Sequence, residues 1–255
     1  MALLEIAGLS KSFGGLTAVS DLSFHIQPGE LLSIIGPNGA GKTTLFNLLT
    51  GFYRPTSGTI TFNGMDLTGS KPYQVTRSGI SRTFQMTSIF RQSTVLENVI
   101  IGQALHARAR VWGSVLRTSA TCLEEQTIRE KAREILSFVG LAGKEDKVAS
   151  ELTEEAQKRL SISLALANGP KLLLLDEPTG GVNLEEISGL IDLVGKIRKT
   201  GITICLIEHK MKMVMSISDR IVVLNYGKKI AEGTPKEVAA DQEVIKAYLG
   251  TRYVT

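Results

Sequence analysis

A glycine-rich loop between two apolar stretches constrains the fold of this chain more than any other feature. The first stretch is Leu31–Ile35, and the loop after it reads G-P-N-G-A-G-K-T over residues 36–43. The pattern G-x-x-x-x-G-K-S/T in this position is typical of a phosphate-binding loop that joins a buried strand to a helix. We therefore expect a strand, the loop and a helix over residues 44–49 to follow one another in an α/β fold.

The residue types of this loop indicate the chemistry that it serves. Glycines allow successive backbone N–H groups to turn inward around phosphate oxygens, and the start of the helix adds partial positive charge. Lys42 is expected to reach the β- and γ-phosphates of ATP, and the Thr43 hydroxyl is expected to bind Mg²⁺. The predicted ATP-binding residues of this segment are Gly36, Pro37, Asn38, Gly39, Ala40, Gly41, Lys42, Thr43 and Thr44. The alternative is a glycine-rich turn that precedes a helix without binding phosphate.

Other short apolar runs predict the rest of a sheet. They occupy residues 172–175, 203–207 and 221–224, and such runs are typical of strands that are buried on both faces. The first 30 residues and residues 58–63 alternate between apolar and polar side chains, as half-exposed antiparallel strands do. The sequence thus predicts a mixed sheet core with an N-terminal antiparallel β subdomain.

Helical patterns replace strand patterns in the middle third of the chain. Residues 95–169 contain long amphipathic or charged segments, such as residues 124–139. No internal repeat and no Pro/Ser-rich linker separates them from the rest of the sequence. We therefore expect a single domain over residues 1–255, with a helical subdomain inserted over roughly residues 86–169.

Composition and charge argue against several other classes of protein. The net charge of +4 comes from scattered Lys and Arg residues, so no nucleic-acid partner is expected. Cys122 and Cys205 lack metal-binding spacing and fit a reducing compartment. The N-terminus has no secretory signal pattern and the apolar runs are too short to span a bilayer, so any membrane contact is expected to be peripheral.

Two carboxylates, Asp176 and Glu177, directly follow the apolar run at residues 172–175. A phosphate-loop nucleotidase needs one acidic residue at such a strand end for magnesium and can use another to orient water. Asp176 is expected to hold Mg²⁺ through water, and Glu177 is expected to polarise the attacking water. The alternative is a solvated acidic strand terminus.

These two motifs make the chain resemble the nucleotide-binding subunits of ABC transporters along nearly its whole length. The resemblance implies a P-loop ATPase fold and three further site residues. Gln85, in R-T-F-Q, would sense the γ-phosphate and help to bind Mg²⁺, and His209 would contact the γ-phosphate. Phe13 would stack on adenine. Taken singly, a surface amide, an exposed or helix-capping imidazole and a core ring are the alternatives.

The chain departs from the family at the L-S-G-G-Q motif, which closes over the ATP of the opposite subunit in a dimer. The corresponding residues here are Leu152, Thr153, Glu154, Glu155 and Ala156. Glycines permit close backbone approach to the γ-phosphate, whereas a carboxylate opposes it. Two unit charges about 4 Å apart at an effective dielectric of about 20 repel by roughly 4 kcal/mol. Two copies of this chain would therefore make two poor sites, which favours pairing with a different ATPase subunit.

A simpler interpretation exists for the same segment. Thr153 can start a helix whose first-turn acids, Glu154 and Glu155, face water and interact favourably with the helix dipole.

Within the family, the chain resembles the branched-chain amino-acid uptake subgroup. The similar segments are residues 82–85, 104–127, 180–183, 207–211 and 244–250. The resemblance implies membrane-spanning permease subunits, a second and different ATPase subunit, and a solute-binding protein that this chain serves indirectly. It also implies a peripheral position on the cytoplasmic face of the membrane.

The permease subunits are expected to dock around residues 86–91, which mix apolar and basic side chains. An exposed loop would look similar.

Two other functions fit parts of the sequence. One is the ATPase subunit of a lipid or lipopolysaccharide exporter, whose sequence resembles this subgroup. The other is a regulatory subunit that binds ATP without turnover, which only Glu154 and Glu155 suggest. Against this second function stands the intact Glu177, which mere binding does not require, so we expect an ATP hydrolase.

Overall fold

The computed structural model describes residues 1–83, 89–103 and 119–249, which divide into two compact units. The first unit comprises the described residues of Met1–Arg82, Lys171–Pro178 and Ile191–Thr255, and the second comprises those of Thr83–Pro170 and Thr179–Leu190. Both sheets lie in the first unit, so the strands that carry the expected site belong to one body.

An antiparallel sheet of four strands forms from the N-terminal part of the chain, in the order β2-β1-β4-β5. Its strands are β1 (Leu4–Phe13), β2 (Leu16–Ile26), β4 (Ser57–Phe62) and β5 (Met65–Asp66). Alternate apolar side chains, such as Leu4 and Ile6, are buried on one face, as the period of two in the sequence predicts. The predicted antiparallel β subdomain is confirmed.

The second sheet has six strands in the order β10-β9-β3-β8-β7-β6. Its strands are β3 (Leu31–Ile35), β6 (Ile80–Arg82), β7 (Leu172–Asp176), β8 (Thr203–Ile207), β9 (Arg220–Asn225) and β10 (Lys228–Gly233). All neighbours run parallel except β10 and β9, so the sheet is mixed. Every residue of β3, β7 and β8 is buried, as expected for strands covered on both faces.

The four predicted apolar strands of this sheet are confirmed, and its other two strands were missed. Ile80–Arg82 has only three residues, which is too short for a periodic signal. Lys228–Gly233 is half polar and lies at the edge of the sheet, where it pairs with β9 alone.

The described residues also form nine α-helices. They are α1 (Lys42–Leu49), α2 (Pro72–Ser78), α3 (Val95–Gly102), α4 (Ser119–Phe138), α5 (Glu154–Leu166), α6 (Leu184–Lys199), α7 (Met211–Ile217), α8 (Pro235–Ala240) and α9 (Gln242–Leu249). Helix α1 starts two residues before the predicted start at residue 44, and α4 starts five residues before the predicted start at residue 124. No helix among the described residues is long and apolar enough to cross a membrane.

The core of the first unit lies around β3 and α1. Leu32 and Ile34 of β3 and Leu45 and Phe46 of α1 belong to one cluster of buried apolar side chains, which Phe62 of β4 joins. This cluster holds both ends of the loop that joins β3 to α1, so the loop is anchored on a packed scaffold.

The second unit contains α3, α4 and α5, as the helical pattern predicts. Helix α3 begins at a capping box, in which the Thr94 hydroxyl accepts a bond from the Glu97 N–H and the Glu97 carboxylate accepts one from the Thr94 N–H. The buried Asn98 side chain donates to the carbonyl oxygens of Phe90 and Thr94. These bonds fix the chain just before α3.

Candidate functional site

The loop over residues 36–41 requires glycine at both of its ends. Gly36 has φ +151°, and a Cβ there would lie 2.1 Å from the carbonyl oxygen of Leu224. Gly41 has φ +101°, and a Cβ there would lie 2.4 Å from the carbonyl oxygen of Ala18. Because both obstacles are backbone atoms, no side-chain movement could relieve them, and the loop depends on glycine for close packing as well as for φ.

Lys42, the first residue of α1, folds its side chain back over this loop. Its Nζ donates to the carbonyl oxygens of Gly36 at 2.7 Å and Pro37 at 3.0 Å. Burial lowers the pKa of Lys42, and the negative charges of Glu177 and Asp176 oppose that change. Both predicted carboxylates therefore interact electrostatically with Lys42.

The other predicted loop residues differ in their exposure to solvent. Thr43 is exposed and Thr44 is half-buried at the start of α1, while Asn38 and Gly39 are exposed at the tip of the loop. Ala40 is buried and belongs to the apolar cluster. The first N–H groups of a helix have no acceptor within the helix, so the start of α1 presents donors to an anion.

Asp176 ends β7 and is 2% exposed. Its Oδ2 lies 2.6 Å from Nη2 of Arg82, the last residue of β6. Arg82 was not predicted as a site residue. Its position three residues before the glutamine of R-T-F-Q is a signal that could have found it.

Glu177 and His209, predicted from separate motifs, lie in contact. His209 Nε2 is 2.6 Å from Glu177 Oε1, and both side chains are partly exposed. Glu177 has φ +48°, and its N–H donates to the carbonyl oxygen of Ile207 at 2.9 Å. The buried Glu208 carboxylate accepts bonds from the N–H groups of His209 and Lys210, which fixes the turn that carries the imidazole.

Phe13 is 42% exposed, so the alternative of a core ring is wrong. Its ring meets Tyr53 edge to face, with centroids 5.2 Å apart. Lys11 Nζ lies 4.9 Å from the centroid of the Phe13 ring. An exposed aromatic side chain whose ring is held by neighbours suits stacking on a planar base. Neither Tyr53 nor Lys11 was predicted as a site residue.

The segment that departs from L-S-G-G-Q lies in the second unit and starts α5. Leu152 is buried, and the Thr153 hydroxyl accepts a bond from the N–H of Ala156 at 3.3 Å. Glu154 is an exposed residue, as the simpler interpretation predicts. Glu155 instead is half-buried and forms an ion pair with Arg159 one turn along the helix.

Glu154 lies close to Gly181, which belongs to the same unit. A Cβ on Gly181 would approach Glu154 Oε2 to 2.8 Å. The carboxylate therefore lies against the backbone of the G-G-V-N turn at residues 180–183.

Some predicted residues fall outside the described part of the chain. Gln85 is one of them, together with residues 86–88 of the expected permease contact and residues 104–118 of the long segment. In the rest of that expected contact, Ile89 is buried, whereas Phe90 and Arg91 are exposed.

The residues of the first unit fit ATP with magnesium chemically. Hydroxyl and carboxylate oxygens, here from Thr43 and Asp176, are the ligands that Mg²⁺ prefers. A lysine and a helix N-terminus beside them suit the phosphates of ATP. A carboxylate in contact with an imidazole, as in Glu177 and His209, suits proton transfer from water.

The sequence matches the family described as ABC transporter over residues 19–180, and the one described as branched-chain amino acid ATP-binding cassette transporter over residues 228–254. It is 43% identical over 249 residues to the high-affinity branched-chain amino acid transport ATP-binding protein LivG of Salmonella typhimurium, with 97% of this chain and 98% of LivG covered. The corresponding protein BraF of Pseudomonas aeruginosa is 41% identical, with the same shares covered.

A crystal structure of an ATP-binding cassette of an ABC transporter, in its ADP conformation, is similar as well. Its TM-score is 0.86 at 34% sequence identity, with 98% of this chain and 99% of that chain covered. The chain therefore belongs to the ATP-binding subunits of ABC transporters, in the group of the branched-chain amino acid transport ATP-binding proteins, and is an ATP hydrolase coupled to transport.

Proposed function

We propose that this chain powers the import of branched-chain amino acids across the cytoplasmic membrane. The observation that carries the proposal is the match of residues 228–254 to the C-terminal segment of branched-chain amino acid cassettes. The identity of 43% to LivG along nearly the whole chain supports it. Solute and direction are inferred from this kinship, because the solute is expected to bind to other subunits.

The residues proposed to bind ATP and Mg²⁺ belong to the first unit, except Gln85, which lies outside the described residues. Lys42 and the backbone of the loop over residues 36–43 hold the phosphates, and Phe13 packs against adenine. Thr43 and Asp176 hold Mg²⁺, with Gln85 as a third contributor. The metal, when bound, neutralises negative charge on the phosphates.

Hydrolysis depends on the contact between Glu177 and His209. Glu177 accepts a proton from the attacking water, as its position after β7 and its partial exposure allow. His209 orients the Glu177 carboxylate through the 2.6 Å contact and presents its imidazole to the γ-phosphate. Lys42 stabilises the negative charge that develops on the phosphate oxygens.

The whole of residues 1–255 forms a single ATP-binding domain, with a helical subdomain inserted over roughly residues 86–169. In support, the chain leaves the first unit after Arg82 and returns to it at Lys171. The phosphate loop and the acidic strand end, which flank the insertion, belong to the same unit.

The active assembly contains a second, different ATPase subunit, because the L-S-G-G-Q segment of this chain is poorly suited to a γ-phosphate. Arg159 balances the charge of Glu155, so Glu154 supplies the repulsion. The repulsion between one carboxylate and one phosphate charge is at most roughly 4 kcal/mol at about 4 Å. Solvent lowers this repulsion because Glu154 is exposed. In the heterodimer, the intact motif of the partner closes over the ATP held by this chain's complete phosphate loop.

Permease subunits hold the chain peripherally at the cytoplasmic face of the membrane, and a solute-binding protein acts through them. The exposed Phe90, beside Arg91, supports docking around residues 86–91. An apolar ring next to a basic side chain is a common feature of protein contact surfaces.

Purification of the assembled complex through a tag on this chain tests the proposal. We expect permease subunits and a second ATPase subunit to co-purify, and ATP to drive leucine transport in proteoliposomes. Glu177→Gln should abolish transport and phosphate release, whereas Glu243→Gln, at an exposed ion pair with Lys246, should change neither. Movement of lipid or lipopolysaccharide instead of leucine would contradict the proposed solute.

A substitution in α5 tests the asymmetric pairing. Glu154→Gly with Glu155→Gly should raise phosphate release by the complex, because the second site would then approach the γ-phosphate without repulsion. Glu185→Gly, the same change in the first turn of α6, serves as the control. Unchanged activity in the double variant, or cooperative turnover by a homodimer of this chain, would overturn the heterodimer.

A further inference from the structure

Arg82 lies beside Asp176 because β6 and β7 are neighbouring parallel strands at one edge of the six-stranded sheet. In the register of these strands, Arg82 is opposite Leu174, two residues before the aspartate. Residues two apart on a strand point to the same face, and the long arginine side chain spans the remaining distance to the carboxylate.

The guanidinium of Arg82 is held on three sides. Nη2 lies 2.6 Å from Asp176 Oδ2, with the two side chains 5% and 1% exposed. Nη1 donates to Asn47 Oδ1 at 2.7 Å and to Thr50 Oγ1 at 3.3 Å, both at the end of α1. The guanidinium carbon lies 5.4 Å from the centroid of the Phe46 ring. The arginine therefore connects the helix that follows the phosphate loop with the strand end that carries Asp176.

Stability alone is a weak reason for this ion pair. Removing two charges from water costs about as much as their attraction returns, and apolar side chains of similar volume often serve as well. An acidic residue at position 176 is instead expected for metal binding, and a buried carboxylate then needs a partner that fixes its direction. The planar, forked guanidinium does this in a way that a lysine cannot.

We propose that Arg82 is a positioning residue, which holds the carboxylate of Asp176 in the orientation that Mg²⁺ binding requires. The inference rests on the proposed metal role of Asp176. Partners of metal ligands commonly act in this way, by limiting the rotation of the side chain that binds the metal. Here the partner also contacts α1, so the orientation of the carboxylate is fixed relative to the helix that begins with Lys42 and Thr43.

The test is a titration of Mg²⁺ into the full chain with a fluorescent ATP analogue. The measured quantity is the Mg²⁺ concentration at the half-maximal fluorescence change. Arg82→Gln should raise this concentration about 10- to 100-fold, the usual effect of losing a partner of a metal ligand. Arg82→Lys should raise it as well, since lysine keeps the charge but lacks the fork. Binding of the analogue in EDTA should stay unchanged in both variants.

Two control variants separate positioning from structural support. Arg198→Gln removes an arginine–carboxylate pair elsewhere in the first unit, where Arg198 Nη2 lies 2.8 Å from Asp219 Oδ2. It should leave the Mg²⁺ dependence unchanged. Asn47→Ala removes one of the two bonds between Arg82 and the end of α1 and leaves the bond to Thr50. It should lower the melting temperature with a much smaller change in the Mg²⁺ concentration than Arg82→Gln causes.

Asp176→Asn distinguishes failure of the inference from failure of the proposed function. If Asp176→Asn raises the half-maximal Mg²⁺ concentration while both Arg82 variants respond like the wild type, the inference is overturned and the metal role of Asp176 stands. An unchanged half-maximal Mg²⁺ concentration in Asp176→Asn would overturn the metal role of Asp176, and the inference with it. Full rescue by Arg82→Lys, or tighter Mg²⁺ binding in Arg82→Gln, also overturns it, because charge rather than orientation would then be decisive. If Arg82→Gln does not fold, Arg82→Lys decides.

Discussion

His209 Nε2 lies 2.6 Å from Oε1 of Glu177, although the two residues are far apart in the sequence. The contact forms because β7 and β8 are neighbouring parallel strands that end at the same edge of the sheet. The N–H of Glu177 donates to the carbonyl oxygen of Ile207, the last residue of β8. This bond fixes Glu177 beside the turn that carries His209, so one carboxylate and one imidazole act as a unit.

A double-mutant cycle on these two residues should be strongly non-additive. We expect Glu177→Gln and His209→Ala each to lower phosphate release by the assembled complex about 10²-fold or more. The double variant should lose little beyond the worse single variant, because the two side chains support the same step. His25→Ala, at an exposed histidine of the N-terminal sheet, should leave phosphate release unchanged. Multiplicative losses would contradict a shared role.

Two glycines of the phosphate loop should respond differently to alanine. Gly36→Ala brings a Cβ within 2.1 Å of the Leu224 carbonyl oxygen, whereas Gly39→Ala at φ +80° meets no atom within 4 Å. Both changes strain the backbone, by about 1–2 kcal/mol, and only the first also overpacks β9, which adds about 1–3 kcal/mol. Urea unfolding of the full chain measures both free energies. Equal losses in the two variants would contradict this ranking.

The two acids of α5 should contribute unequally to stability. Glu155 forms an ion pair with Arg159, and both side chains are 18% exposed. Glu155→Ala leaves a largely buried guanidinium without this partner and should cost about 1.5–3 kcal/mol. Glu154→Ala removes an exposed first-turn acid and should cost about 0.3–1 kcal/mol. Chemical unfolding measures the free energy of unfolding of both variants. A larger loss for Glu154→Ala than for Glu155→Ala would contradict the prediction.

The carboxylate of Glu232, in β10 of the six-stranded sheet, should make stability depend on pH. Burial alone raises the pKa of Glu232, but hydrogen bonds and charges from Lys229 and Arg220 hold that pKa below its ordinary value of 4.5. Because the pKa is lower in the folded state, the ionised group stabilises the fold above pH 4.5, and this contribution is lost as the pH falls through the folded-state pKa.

Glu232→Gln should therefore destabilise the protein at pH 7, by up to about 1 kcal/mol for a partly exposed network. The difference from the wild type should shrink when urea unfolding is repeated below the ordinary pKa of 4.5. Glu243→Gln, whose side chain is 69% exposed, should show little difference at either pH. A difference for Glu232→Gln that is independent of pH would exclude the charged network as its cause.

Local patterns in the sequence determined where the phosphate loop and the central strands lie. Leu31–Ile35 and Thr203–Ile207 were predictable because a strand buried on both faces must be apolar throughout. The loop over residues 36–43 was predictable because phosphate binding imposes specified residue types at fixed spacing. Both signals are contained in fewer than about ten residues, which is the range over which periodicity and motif spacing act.

Only the tertiary structure decided which of these residues meet. Arg82 and Asp176 are 94 positions apart and become partners because β6 lies next to β7 in the sheet. The exposure of Phe13 and its contact with Tyr53 likewise depend on packing between distant segments. Strand order is set by burial and connection geometry across the whole chain, which no short pattern encodes. The sequence by itself determined the phosphate loop and its acids, and the fold decided which side chains orient them.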